Sequence, residues 1–118
     1  MRMPILIALL ASSFGATAGD IDRSAALQAL QQADTVLIDV RTAQEFAEGA
    51  LPGAKRIETE QLRQHIGNLA PDKNTPIVLY CRSGRRSSAA QDVLQALGYR
   101  QVFNAGGYAQ LSSALRQN

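Results

Sequence analysis

Cysteine occurs once in these 118 residues, at position 81, and histidine once, at position 65. A single cysteine cannot close an internal disulfide. With one histidine it cannot make a zinc site, which takes about four such ligands. No Cys-x-x-Cys pair is present for thioredoxin-like exchange. Charge of one sign is also scarce: the net value is +2, too small to mark a nucleic-acid surface. No apolar run reaches the ~20 residues that a bilayer crossing requires. Repeats, low-complexity tracts and linkers are missing. A chain of this length without them reads as one domain around one modest core.

What is there begins with the N-terminus, MRMPILIALLASSFGATAGD. Arg2 supplies a positive start, residues 5–11 a short apolar run, and Ala16 and Ala18 a small-x-small cleavage pattern. That is the pattern of a secretory signal peptide over residues 1–18, leaving a domain over 19–118. No cysteine lies near the cleavage point to carry a lipid. The expectation is a soluble monomer of an oxidising compartment such as a bacterial periplasm, with no membrane anchor after processing. Exported proteins usually pair their cysteines. An unpaired one reads as a reactive thiol or intermolecular bridge, or as a small buried hydrophobe.

Periodicity places the elements. Ala26, Leu27, Leu30 and Ala33 predict a helix over 22–34. TVLIDV, 35–40, reads as a buried strand of a parallel sheet. TAQEFAEG, 42–49, is a short helix with Thr42 as cap, Glu45 three residues on and Gly49 as stop. LPGAKRI turns and then extends. Leu62, Ile66 and Leu69 share a helical face that Pro71 closes. IVLYC, 77–81, predicts the central strand. Ala89, Ala90, Val93, Leu94 and Leu97 put a helix after it, ending at Gly98. RQVFNAGG is a short strand into a Gly-Gly turn, and YAQLSSALRQ a last helix with Tyr108, Leu111 and Leu115 inward. Strands and helices alternate, so the fold class is α/β: one domain with a central parallel sheet and helices on both faces.

In such sheets ligands collect beyond the carboxyl ends of the strands. Cys81 ends the central strand, and Asp39 nearly ends another. A structural thiol would more naturally sit mid-strand, so the position favours a working cysteine. The following residues, Arg82, Ser83, Gly84, Arg85, Arg86 and Ser87, run from strand end into helix start. First-turn amides lack intrahelical partners and point toward the loop's centre. The helix dipole adds about half a positive charge. Gly84 lets the chain curl into an anion nest, and three arginines add fixed charge. All of these stabilise a thiolate over a thiol. Cys81 is therefore expected to be a nucleophile without a histidine base. Phosphate-handling cysteine enzymes carry arginine six positions after the cysteine. Here position 87 is serine and the arginine is at 86, so the tighter cradle suits one sulfur atom better than a tetrahedral phosphate.

CRSGRRS resembles the active-site loop of the rhodanese family of sulfurtransferases, roughly C-x-x-G-x-R-S. DVRTAQEFAEGALPGAKRI resembles the family's early signature, D-V-R-x-x-x-E-F-x-x-G-H-x-P-G-A-x-x-I, and AGGYAQL the Gly-Gly segment before its last helix. The resemblance covers about residues 22–116. Two departures stand out. Ala50 replaces the usual histidine, and Leu111 stands where many members carry tryptophan; the second is expected to alter core packing and not chemistry.

The resemblance implies double-displacement sulfur transfer. Cys81 would take the outer sulfur of a donor such as thiosulfate, hold it as a persulfide under the amides of 82–87, and pass it to cyanide or a thiol. No cofactor and no metal are implied. Ser83 and Ser87 read as hydroxyl donors to the persulfide or as helix caps, and Arg82 as a donor-facing residue at the pocket mouth. Arg86 either binds the donor anion or ties the loop to a carboxylate. Arg41 is expected to pair with Glu45 and fix the helix that follows it, and Asp39 is a candidate acceptor for amides near Cys81. His65 reads as a partly buried surface residue outside the chemistry. A sulfur carrier that loads but turns over poorly is the competing function. A cysteine phosphatase or arsenate reductase is opposed by the loop length and the lack of a second cysteine.

Overall fold

The computed structural model describes residues 20–117; the signal-peptide reading of 1–18 lies outside the described residues. The elements in chain order are α1 (Arg23–Ala29), β1 (Val36–Asp39), α2 (Ala43–Ala47), β2 (Lys55–Arg56), a 3-10 turn (Thr59–Gln61), α3 (Leu62–Leu69), β3 (Ile77–Cys81), α4 (Arg85–Ala96), β4 (Val102–Gly107) and α5 (Tyr108–Arg116). The strands form one sheet in the order β2-β1-β3-β4, and every pairing is parallel.

The apolar run of β3 has a physical reason. Successive side chains of a strand point to opposite faces. Ile77, Leu79 and Cys81 enter a core with Leu62, Ile66 and Leu94 of α3 and α4. Val78 and Tyr80 enter a second core with Ala26 of α1 and Leu111 of α5. All five residues of β3 are buried, as a strand covered by helices on both faces must be. Leu111 fills its place in the second core with no exposed surface.

One boundary differs from expectation. The first helix stops at Ala29 rather than near Asp34. The Thr35 hydroxyl donates to the Ala29 carbonyl, and the Gln32 amide takes the same carbonyl over a three-residue step. The chain therefore tightens and turns into β1.

Strand order locates the site. From β1 the chain goes to β2 on one side, then crosses to β3 on the other. The switch point falls between the carboxyl ends of β1 and β3, where open α/β sheets leave a crevice. Asp39 and Tyr80 are paired there, and Cys81 is the next residue.

Candidate active site

The loop after β3 is curled by Gly84, which caps α4 at φ 97°. A side chain is disfavoured at that angle, and a Cβ would meet the Ile21 Cδ1 at 2.6 Å. The Gly84 amide donates to the Cys81 Sγ at 2.9 Å, and the Ser87 Oγ lies 3.5 Å from the same sulfur. Burial pushes the Cys81 thiol up. The Ser87 hydroxyl and the amides of Ser87, Ser83 and Gly84 outweigh it and hold the thiol below its ordinary value. The Gly84 amide faces the sulfur. Cys81 has no exposed surface.

A strand neighbour completes the cradle. Cys81 pairs with Gly107 across a register shift between β3 and β4. A Cβ on Gly107 would sit 2.5 Å from the Arg82 carbonyl oxygen. The Gly-Gly segment is thus glycine where the sulfur loop passes over it.

The arginines separate by role. Arg82 and Arg85 are exposed. Arg86 is the tie to a carboxylate: its fork donates to both Glu45 oxygens, at 2.8 and 3.0 Å. Glu45 also accepts from the Thr42 amide and returns its own amide to the Thr42 hydroxyl, so one carboxylate caps α2 and anchors α4. Arg86 first, then the Thr42 amide, holds the Glu45 carboxyl down at about 2. The positive charge of Arg86 still acts on Cys81 through space.

Two expectations for the end of β1 are corrected. Arg41 does not pair with Glu45. It precedes the helix cap, so helical spacing does not bring the two together. Its Nε and Nη2 donate to the buried Asp39 carboxylate at 3.0 and 2.7 Å, and Nη2 also donates to the Gly49 carbonyl at 2.7 Å. The guanidinium lies 4.4 Å from the Tyr108 ring centroid, a cation–π contact. Asp39 is correspondingly occupied, accepting from the backbone and side chain of Arg41 in place of the amides near Cys81. Asp39 and Arg41 brace the switch point beside the sulfur. His65 is exposed rather than partly buried; it lies at the edge of the apolar stripe of α3, beside the groove along that helix.

Asn104 went unnoticed in the sequence. It is a fully buried polar residue of β4. Its Nδ2 donates to the Gly84 carbonyl at 3.1 Å and the Ser88 hydroxyl at 2.9 Å, and its Oδ1 accepts from the Ser87 hydroxyl at 2.6 Å. One signal could have found it: a lone amide in VFNAGG must find partners if the strand is buried. A groove of about 490 Å³ along β2 and α3 includes no residue of the Cys81 loop.

The arrangement is a buried sulfur held by a main-chain amide, with exposed cations outside it. Residues 22–114 match the family model for the rhodanese-like domain. The chain is 37% identical over 70 residues to thiosulfate sulfurtransferase PspE of Escherichia coli, covering 59% of this chain and 67% of that one. It is 31% identical over 80 residues to thiosulfate sulfurtransferase GlpE of Pseudomonas savastanoi, covering 68% and 74%. Against a mitochondrial protein of Schizosaccharomyces pombe the match is 40% over 84 residues and spans 59% of that protein. Among solved structures, a rhodanese with anions from E. coli superposes with a TM-score of 0.62 at 35% identity, over 64% of this chain and 88% of that one. The chain belongs to the rhodanese-like domain family.

Proposed function

We propose that the protein moves a sulfane sulfur from thiosulfate, or a similar anionic donor, to a thiol or cyanide through a persulfide on Cys81. The class, a rhodanese-type sulfurtransferase, agrees with the family match and with relatives named thiosulfate sulfurtransferase. The observation that carries the persulfide step is the Gly84 amide aimed at the Cys81 sulfur from 2.9 Å.

The Cys81 thiolate attacks the outer sulfur of thiosulfate. A new S–S bond forms, the donor's S–S bond breaks, and its electron pair leaves with sulfite. The terminal sulfur of the persulfide is then attacked by cyanide or a thiolate, and its bond to Cys81 breaks, with the electron pair returning to Cys81 as thiolate. The step is split in two through a covalent intermediate, so ping-pong kinetics follow. The same amides stabilise the anion before loading and after release. Arg82 and Arg85, exposed beside the loop, draw the donor in; Arg86 and Glu45 keep the start of α4 in place. A leader over 1–18 and a periplasmic location remain part of this reading. Among the described residues no helix is long and apolar enough to cross a membrane.

Mass spectrometry of the protein after incubation with thiosulfate tests this. A gain of ~32 Da on Cys81, reversed by cyanide, is expected, because a persulfide adds one sulfur. Cys81→Ser should stay unmodified. An unchanged wild-type mass overturns the persulfide route. Loading without steady-state turnover would identify a sulfur carrier instead.

A further inference from the structure

We propose that Asn104 is the positioning residue of the sulfur cradle, holding the Gly84 carbonyl so that this residue stays in place and its N–H, on the preceding peptide unit, stays aimed at Cys81. The orientation of the Asn104 amide is set by its neighbours. The Gly106 N–H can only donate, and it meets Oδ1 at 2.9 Å. Nδ2 is therefore the atom that donates to the Gly84 carbonyl at 3.1 Å and the Ser88 hydroxyl at 2.9 Å. Gly84 has no side chain with which to hold itself, and it caps a helix in a left-handed conformation that glycine leaves freely. Asn104 grips the carbonyl side of this residue while its amide side faces the sulfur.

The second arm of Asn104 works on Ser87. A hydroxyl has one proton, and three acceptors surround this one: Asn104 Oδ1 at 2.6 Å, the Gly84 carbonyl at 3.1 Å and the Cys81 Sγ at 3.5 Å. The nearest takes it. Ser87 thus gives its proton to Asn104 while Cys81 is a thiol and turns it to the sulfur once the thiolate forms, beside the Gly84 amide, which stands 0.6 Å closer to the sulfur. Asn104 therefore favours the thiolate through Gly84 and competes with it for Ser87, and the shorter contact decides the sign. Asn104 does not touch the sulfur or any reacting atom; it acts through the loop.

The proposal rests on Cys81 being the nucleophile, but its readout is the acidity of Cys81, which needs no turnover. The rate of Cys81 alkylation by iodoacetamide is measured against pH in wild type, Asn104→Leu, Ser87→Ala and the double variant. Asn104→Leu should raise the midpoint by about one pH unit, the scale of one hydrogen bond to a charged group, and should raise it further in the Ser87→Ala background, where no released hydroxyl offsets the loss. An unchanged midpoint with a lowered melting temperature would make Asn104 a core residue only and overturn the proposal. A downward shift, or one that vanishes without Ser87, overturns the route through Gly84. Should Asn104→Leu fail to fold, NMR of the wild type decides: the Asn104 side-chain amide and the Gly84 amide signals must titrate together at the Cys81 midpoint, and an Asn104 signal indifferent to that titration refutes the link. Failure of any arm leaves the ~32 Da sulfur adduct as a separate test of sulfur transfer.

Discussion

Arg86 and Glu45, 41 positions apart, join the start of α4 to the first turn of α2 through two parallel hydrogen bonds of 2.8 and 3.0 Å. Arg86 is the second residue of α4, directly behind the sulfur loop, so the pair fixes where the thiolate's donors stand. Because Arg86 depresses the Glu45 carboxyl to about 2, the pair stabilises the fold above the usual carboxylate range. That contribution is lost as pH falls from about 4.5 to about 2. Glu45→Gln should lower stability near neutrality by ~0.5–1 kcal/mol, since the pair is partly exposed. The difference from wild type should shrink as pH falls through that window and vanish below about 2. Thermal melts across that range check it; a constant difference would deny the ion pair a role.

The parts legible in the sequence are those whose signal is local. The β3 run and the Cys81 loop advertise themselves, because a five-residue apolar strand and a Gly/Ser/Arg turn each need only their own neighbours. The capping box of Thr42 and Glu45 is equally local. The claim of Arg86 on Glu45 is not, since it joins α4 to α2. The pairing of Arg41 differs from expectation for the opposite reason: four-residue spacing suggests a helical partner, but Arg41 lies outside the helix and its own strand supplies Asp39 two residues away. Asn104 stayed hidden because a single buried amide acquires meaning only when tertiary structure brings Gly84 and Ser87 to it.

The acidity of Cys81 has its own pH signature. Burial opposes ionisation, and the Ser87 hydroxyl with the amides of Ser87, Ser83 and Gly84 overcomes it. A folded value below the unfolded one means that the thiolate persists to lower pH than in a free cysteine. Sulfur loading and iodoacetamide alkylation should therefore rise through a midpoint below ~8.5, the value of an unperturbed thiol. The same difference stabilises the fold above the unfolded value, and that contribution fades as pH falls through the folded one. A midpoint at or above ~8.5 would show that the amides do not favour the anion.

Close packing at the Gly-Gly segment predicts a mutation with two effects. An added Cβ at Gly107 meets the Arg82 carbonyl at 2.5 Å, a backbone atom that cannot swing aside. Gly107→Ala should cost ~1–3 kcal/mol by overpacking and should displace the loop enough to cut sulfur loading by tenfold or more. Gly53→Ala is the control. Nothing lies within 4 Å of its Cβ, but its φ of 82° disfavours a side chain, whereas Gly107 lies at an ordinary φ of −85°. The cost of Gly53→Ala should be strain alone, ~1 kcal/mol, with loading intact. Equal loading in the two variants would separate the Gly107 contact from the site.

Exposed charge predicts salt dependence. Arg82 and Arg85 are exposed beside the loop, and neither takes part in the ion pairs found among the described residues. Their fields reach a dianionic donor over ~30 Å at 0.01 M salt but only ~3 Å at 1 M. Raising ionic strength through that range should lower kcat/KM for thiosulfate several-fold, since steering acts on encounter. It should leave alkylation by neutral iodoacetamide nearly unchanged. Replacing both residues, Arg82→Gln with Arg85→Gln, should flatten the thiosulfate slope while Cys81 keeps its pH midpoint, because the donors to the sulfur are the amides and the Ser87 hydroxyl. A slope that survives the double substitution would assign the attraction to Arg86, whose charge stands close enough to Cys81 to act on it directly.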